Sequence, residues 1–214
     1  MKKQILLWIL VALFSTNLYA QNKFGFHANM TGDINFLSGI GDVSSAFTIG
    51  TADDYTTPYA PNTTLGLGIG IDAGIFSIDL RADVGVGDYN NGTITNEKQD
   101  YTAYLSLGVE CWSNEQTAVD VAAGIGFATS QLYVANRDLN VSKAIQSSTL
   151  IVPISATYWV YQHKNMGCGI RLNYTIPCGK IRDNEFIGLS NAGIDLSKIK
   201  LNIGTLGFGV IFQI

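Results

Sequence analysis

The chain has 214 residues, a formal net charge of −4 and 14% charged side chains, with 23 Gly, ten Phe and ten Tyr; ordinary soluble domains carry about 25% charged residues. A net acidic balance speaks against a nucleic-acid binder, and so few charges cannot coat a water-facing surface. No apolar run after Phe14 approaches the roughly 20 residues of a membrane helix, so a chain that is apolar on average but never continuously so is either an all-β core or a membrane barrel.

Residues 1–20 divide into a basic start (Lys2, Lys3), an apolar run from Ile5 to Phe14 and a polar close ending at Ala20. That is the pattern of a secretory signal peptide, and the run is too short to span a bilayer as a helix. We therefore expect cleavage near Ala20, leaving residues 21–214 as one barrel domain with a formal charge of −6 once Lys2 and Lys3 are gone.

In chain order, period-two alternation marks eight strands. The first runs from Phe24, Phe26, Ala28 and Met30 toward Phe36, alternating with Gly25, His27 and Asn29. Leu65 to Ala73 and Phe76 to Gly87 meet at a turn around Gly74 and read as a hairpin. Tyr101 to Cys111 and Val119 to Phe127 flank Ser113–Gln116; Leu150 to Val160 and Cys168 to Ile176 flank Gln162–Asn165. The last strand starts at Ile199, shifts phase near Gly204, as a bulge would, and continues to Ile214.

The connections alternate. Leu37–Thr63, Asp88–Gln99, Val134–Ser147 and Pro177–Lys198 read as long loops, whereas the turns at Gly74, Ser113–Gln116 and Gln162–Asn165 are short. Outer-membrane barrels have short periplasmic turns and longer extracellular loops. The face opposite the apolar one is mostly Gly, Ser, Ala and Thr with occasional acids, which suits the narrow interior of eight strands. The expected fold is thus all-β, an eight-stranded antiparallel up-and-down transmembrane barrel with apolar side chains in lipid. Only a closed barrel satisfies every strand's backbone groups in hydrocarbon. Phe24, Tyr89, Tyr101, Tyr133, Tyr161, Tyr174 and Phe212 fall near strand ends, either as interfacial girdles or through the strand preference of aromatics. Pro153 is the misfit, since it removes a ladder hydrogen bond where there is no edge; a local bulge is expected.

The strand plan and the ending Gly207-Phe208-Gly209-Val210-Ile211-Phe212-Gln213-Ile214 resemble small outer-membrane barrels of the OmpA-like and OmpX-like kind. The opening Phe24-Gly25-Phe26-His27-Ala28-Asn29-Met30 also looks like the first strand of the porin-family outer-membrane barrel domain. The resemblance implies a Gram-negative outer-membrane location, with lipid, lipopolysaccharide and the barrel-assembly machinery as partners. Many relatives of that kind end in Phe, whereas this chain ends in Ile214 with Phe212 two places earlier.

A lipid-modifying enzyme would need a Ser with a His partner. His27 lies near the short-turn end of the first strand and His163 in a short turn, so the expectation is a non-enzyme without cofactor or metal. The inward residues Asp72, Asp79, Arg81, Asp83, Glu110, Asp120 and Arg171 are expected to form a polar network filling the lumen rather than an ion path, because charges there must be paired. Asp53-Asp54 lacks the ligand count that Ca²⁺ requires. Cys111, Cys168 and Cys178 sit too far apart in this topology for disulfide reach. The role expected is structural, adhesive or envelope-interacting, exercised through the loops, where an unidentified protein partner could dock. The alternatives are a barrel component of a secretion or envelope-assembly complex, or a soluble periplasmic barrel holding an apolar ligand.

Overall fold

Alternating side chains need a ladder on both sides of every strand, and in the computed structural model the chain meets that need by closing on itself. The structure describes residues 24–40, 60–90, 94–138, 141–163, 166–190 and 204–214; the expected signal peptide, Asp53 and Asp54 lie outside them. The strands are β1 (Phe24–Ile40), β2 (Ala60–Ala73), β3 (Phe76–Asn90), β4 (Ile94–Ser113), β5 (Ala118–Asn136), β6 (Val141–His163), β7 (Met166–Ser190) and β8 (Thr205–Gln213). Each pairs antiparallel with its neighbours in sequence, and β1 pairs β8, so the barrel is closed, up-and-down and eight-stranded. The expected all-β, antiparallel up-and-down barrel of eight strands is therefore what the chain adopts.

The tight end is made by local chemistry. Gly74 turns β2 into β3 with φ of +67°, a left-handed conformation that costs other residues a clash at Cβ. Between β4 and β5, the Asn114 side chain accepts the backbone N–H groups of Gln116 and Thr117 at 2.9 and 2.8 Å, a local substitute for ladder bonds.

At the opposite end the strands run on further than the sequence suggests. Much of the loops expected at Asp88–Gln99 and Val134–Ser147 is paired strand: Val86 faces Gln99 through to Asn90 facing Thr95, and Gln131 faces Gln146 through to Asn136 facing Val141. Chain 91–93 and 137–140 is all that separates those strands. Residues 177–190, expected as loop, likewise belong to β7, so Cys178 sits in a strand rather than at a loop start. The reason is that ladder pairing needs only backbone groups, so it persists after the apolar pattern stops. Some 9–11 residues cross a bilayer, and β4, β5, β6 and β7 have 20, 19, 23 and 25.

Pro153 is handled without a bulge at its own position. Register between β5 and β6 is the same on both sides of it, Ala123 facing Ile154 and Gly126 facing Ile151, while the ladder passes over Val152 and Pro153. The nearby irregularity lies across the barrel wall in β7, where Cys178 is the extra residue between Pro177 and Gly179. A further bulge at Cys111 ends the simple alternation of β4. The phase shift expected near Gly204 concerns residues before β8 that are not described. All three cysteines are free.

Candidate functional site

Side-chain burial is inverted relative to a water-soluble protein. Phe26 is 72% exposed, Ile125 70% and Leu107 62%, while Arg171 and Asp33 are 4% and 3% exposed. Outward positions of β1 to β8 carry Met30, Leu67, Leu80, Leu105, Phe127, Ile154, Leu172 and Phe208, all exposed. Phe24, Tyr101, Tyr133, Tyr161, Tyr174 and Phe212 are exposed as well.

The interior is a chain of polar contacts. At the tight end His27 lies between two carboxylates, Nδ1 at 3.0 Å from Asp72 Oδ2 and Nε2 at 2.8 Å from Asp79 Oδ1. With an acceptor at each ring nitrogen, only the doubly protonated ring satisfies both contacts. Asn29 Nδ2 donates to the same Asp79 oxygen at 2.9 Å. Arg81, from β3, then donates to Asn29 Oδ1 and, at 2.9 Å, to Thr31 Oγ1, and lies 3.8 Å from Asp83. Thr102 donates to Asp83 at 3.2 Å.

Across the bore, Arg171 of β7 reaches Asp33 of β1 at 3.3 Å and donates to Tyr104 Oη of β4 at 2.9 Å. Higher up, Asp100 is 3.2 Å from Lys98 Nζ and accepts from Asn62 Nδ2 at 2.5 Å. Such contacts between strands far apart in sequence are possible because β2 faces them with glycine. A Cβ on Gly68 would fall 2.5 Å from Asn29 Oδ1 and 2.9 Å from Arg81 Cγ, so side chains there would evict the network.

Two chambers flank the layer formed by Arg81, Asp33, Asp83, Tyr104 and Arg171. The one toward the tight end has about 70 Å³ and is lined by His27, Asp72, Asp79 and Asp120 among others. The one beyond has about 40 Å³ and is lined by Asp33, Asp83, Asp100 and Thr102 among others; Arg171 borders both. At some 10–15 Å³ per water, each has room for only a few water molecules. Among the described residues no three His, Cys, Asp or Glu side chains converge as a metal site.

Of the residues singled out from sequence, Asp72, Asp79, Arg81, Asp83 and Arg171 come together in this network. Asp120 sits lower on the opposite wall, where Trp159 Nε1 donates to it at 2.5 Å. Glu110 is apart from the arginines, beside the Cys111 bulge, and accepts from the exposed Ser113 Oγ at 2.5 Å. Sequence reasoning missed His27, Asn29, Asp33, Tyr104 and Trp159 as members. The signal was there in parity: Asp33 shares the face of His27 and Asn29 once β1 is carried to Phe36.

No protein-family model matches this sequence, and no curated protein is similar to it. Solved structures do match. Neisserial surface protein A aligns with a TM-score of 0.52 at 7% identity, over 87% of this chain and 95% of that one. A major outer membrane protein from Thermus thermophilus aligns with a TM-score of 0.51 at 11% identity, over 89% of this chain and all of that one. At such identities the likeness is one of fold, and the fold is that of outer-membrane eight-stranded β-barrels.

Proposed function

We propose that this chain is a non-enzymatic integral barrel of the outer membrane, exported by an N-terminal signal and acting through the strands and loops at its outward end, in a structural, adhesive or envelope-interacting role. The observation that carries the reading is the inverted burial: a closed ladder wrapped in exposed apolar side chains around a polar interior. Contiguous apolar surface on that scale is insoluble in water and is what acyl chains require of a barrel. The structural relatives are outer-membrane proteins, which agrees with that location.

The interior speaks against both catalysis and an apolar cargo. Each ring nitrogen of His27 faces a carboxylate, so neither is left to activate a serine. Chambers of about 70 and 40 Å³ lined by charged groups hold no lipophilic ligand. The paired layer of Arg81 and Arg171 is one part of the side-chain filling of the bore, which eight strands leave only wide enough for side chains.

Electrophoresis in SDS with and without boiling tests the reading. The folded barrel should migrate apart from the boiled chain, and brominated acyl chains should quench a fluorophore placed at Leu80 but not one at Arg81. Quenching at Arg81 instead would mean that the faces are reversed. Arg81→Ala should lower the denaturant unfolding midpoint, and planar-bilayer recording of the same variant should show conductance unchanged.

A further inference from the structure

At the tight end of the bore one side chain ties three strands together. His27 of β1 lies across Gly70 of β2, where a Cβ would fall 2.5 Å from its Nε2. It thereby reaches past the neighbouring strand to Asp79 of β3 at 2.8 Å, while Nδ1 holds Asp72 of β2 at 3.0 Å. Side-chain exposure is 4% for His27, 14% for Asp79 and 32% for Asp72, so the carboxylates step outward and Asp72 stands at the mouth. On the opposite wall is Trp159 of β6, packed with Ala118 and Ile211 and donating to Asp120. Between them lies the chamber of about 70 Å³, which ends at Arg81 and Arg171.

What holds the His27 contacts is one proton. An ionised carboxylate only accepts, and a neutral imidazole has one N–H and one lone pair. With both protons the ring donates at each nitrogen; with one, a lone pair faces an anion at the same distance and that contact turns repulsive. Nothing else on the chamber wall takes over this role. Besides His27, β2 presents Asp72, β3 Asp79 and Arg81, β5 Asp120 and β7 Arg171, and the lining from β4, β6 and β8 has no titratable side chain. The arginines stay charged throughout, and Asp120 accepts from Trp159. We propose that His27 is a proton-operated latch on the tight end of the barrel. Doubly protonated, it binds β1 to β2 and β3 and keeps the chamber shut; on losing one proton it lets go of a carboxylate and admits water and small neutral solutes as far as the arginine layer.

Trp159, 4% exposed and part of the chamber wall, is the reporter. With Trp8→Phe and Trp112→Phe it is the sole tryptophan of the chain, and its quenching by acrylamide measures access to the chamber. The barrel folded in detergent micelles is titrated from about pH 6 to about pH 10, where ordinary carboxylates are already ionised. Quenching should be low at the start and rise in one step, the open-to-closed ratio changing about tenfold per pH unit as a single proton requires. His27→Ala removes both donors and should be open and flat across the range. Asp72→Asn is the sharper variant: its amide can donate to Nδ1, so the neutral ring satisfies both neighbours, and quenching should stay low and flat. That change, at a part-exposed side chain, also decides the matter if His27→Ala fails to fold. A step that persists in either variant, or a flat titration without them, overturns the inference. So does a step that coincides with loss of the heat-dependent gel shift, since that would be unfolding of the whole barrel.

Discussion

In the lower half of β5, Val121, Ile125 and Phe127 face outward and are exposed, while Asp120 and Gly126 face the bore; in the upper half Gln131 faces outward, and Leu132 and Val134 face inward with 3% and 0% exposure. The backbone is the same strand with the same period. The sign of the alternation has reversed, and sign is what a β-strand uses to report the medium beside it: apolar outward means acyl chains, apolar inward means water. β4 changes on its outward face only, with Leu105 and Leu107 outward in one half and Glu97 and Gln99 outward in the other, while Asn96 and Lys98 stay inward and buried. The barrel is thus two regions built on one ladder, a lipid-facing band with a polar network inside it and an extension whose outward face turns polar and whose inner wall sets Leu132 and Val134 among buried polar groups such as Asn96, Lys98 and Ser130.

The comparison breaks hardest at the network. Arg171→Ala leaves Asp33 buried without its cation, and removal of one member of such a pair costs about 3–5 kcal/mol. Denaturant unfolding from detergent or lipid should show that loss, and joint replacement by Arg171→Met and Asp33→Leu should recover most of it. A loss below about 1 kcal/mol would mean that water already reaches Asp33 and that the band has no sealed interior.

Next in size is the band's outer face. Leu107→Arg places a cation where acyl chains should lie, and near the bilayer midplane this costs about 2–4 kcal/mol of folding into lipid. If the substitution is silent in lipid vesicles, that face does not contact hydrocarbon.

The strands of the band were legible because their alternation is long and of constant sign, as in Phe76 to Gly87. Legibility ended where the outward face turned polar: Gln146 falls in the loop expected at Val134–Ser147, and Thr129, Gln131 and Ser148 lie beyond the strands that the alternation marked, although their backbones remain paired. The acids and arginines of the lumen could be assigned a face by parity alone. Their partners could not, because strand register decides whether Arg171 meets Asp33 and Tyr104 or some other pair, and bulges such as those at Cys111 and Cys178 change that register by one residue. Glu110 illustrates the limit, since its inward parity is correct but the bulge beside it leaves it near Ser113 rather than among the arginines.

The inner wall of the extension offers a smaller break. Val134→Thr keeps the shape and adds a hydroxyl at a fully buried site, which costs about 1–3 kcal/mol if the group finds no partner. The same change at the exposed Val121 lies on the lipid side and should cost less, since a Thr hydroxyl at a strand surface can turn to the backbone. Thermal or denaturant midpoints of the two variants, measured in the same lipid, would order them; a reversed order would place the boundary between the two regions elsewhere.

The smallest effect is the sharpest marker of where that boundary falls. Ile125 and Gln131 share one strand and one face, three outward positions apart, and both are exposed. Ile125→Arg should lose stability on the scale of Leu107→Arg, because both face the band. Gln131→Arg should stay within about 0.5 kcal/mol, as exposed substitutions do in water, and Thr129→Arg between them should fall in the range of an interfacial position, about 0–1 kcal/mol. Arginine scanned along 125, 127, 129 and 131 therefore draws a profile of lipid depth against residue number. A steep fall after Phe127 locates the membrane surface where the outward face turns polar, whereas a cost that stays high through Gln131 would move hydrocarbon up over that residue and separate the polarity of a side chain from the medium it meets.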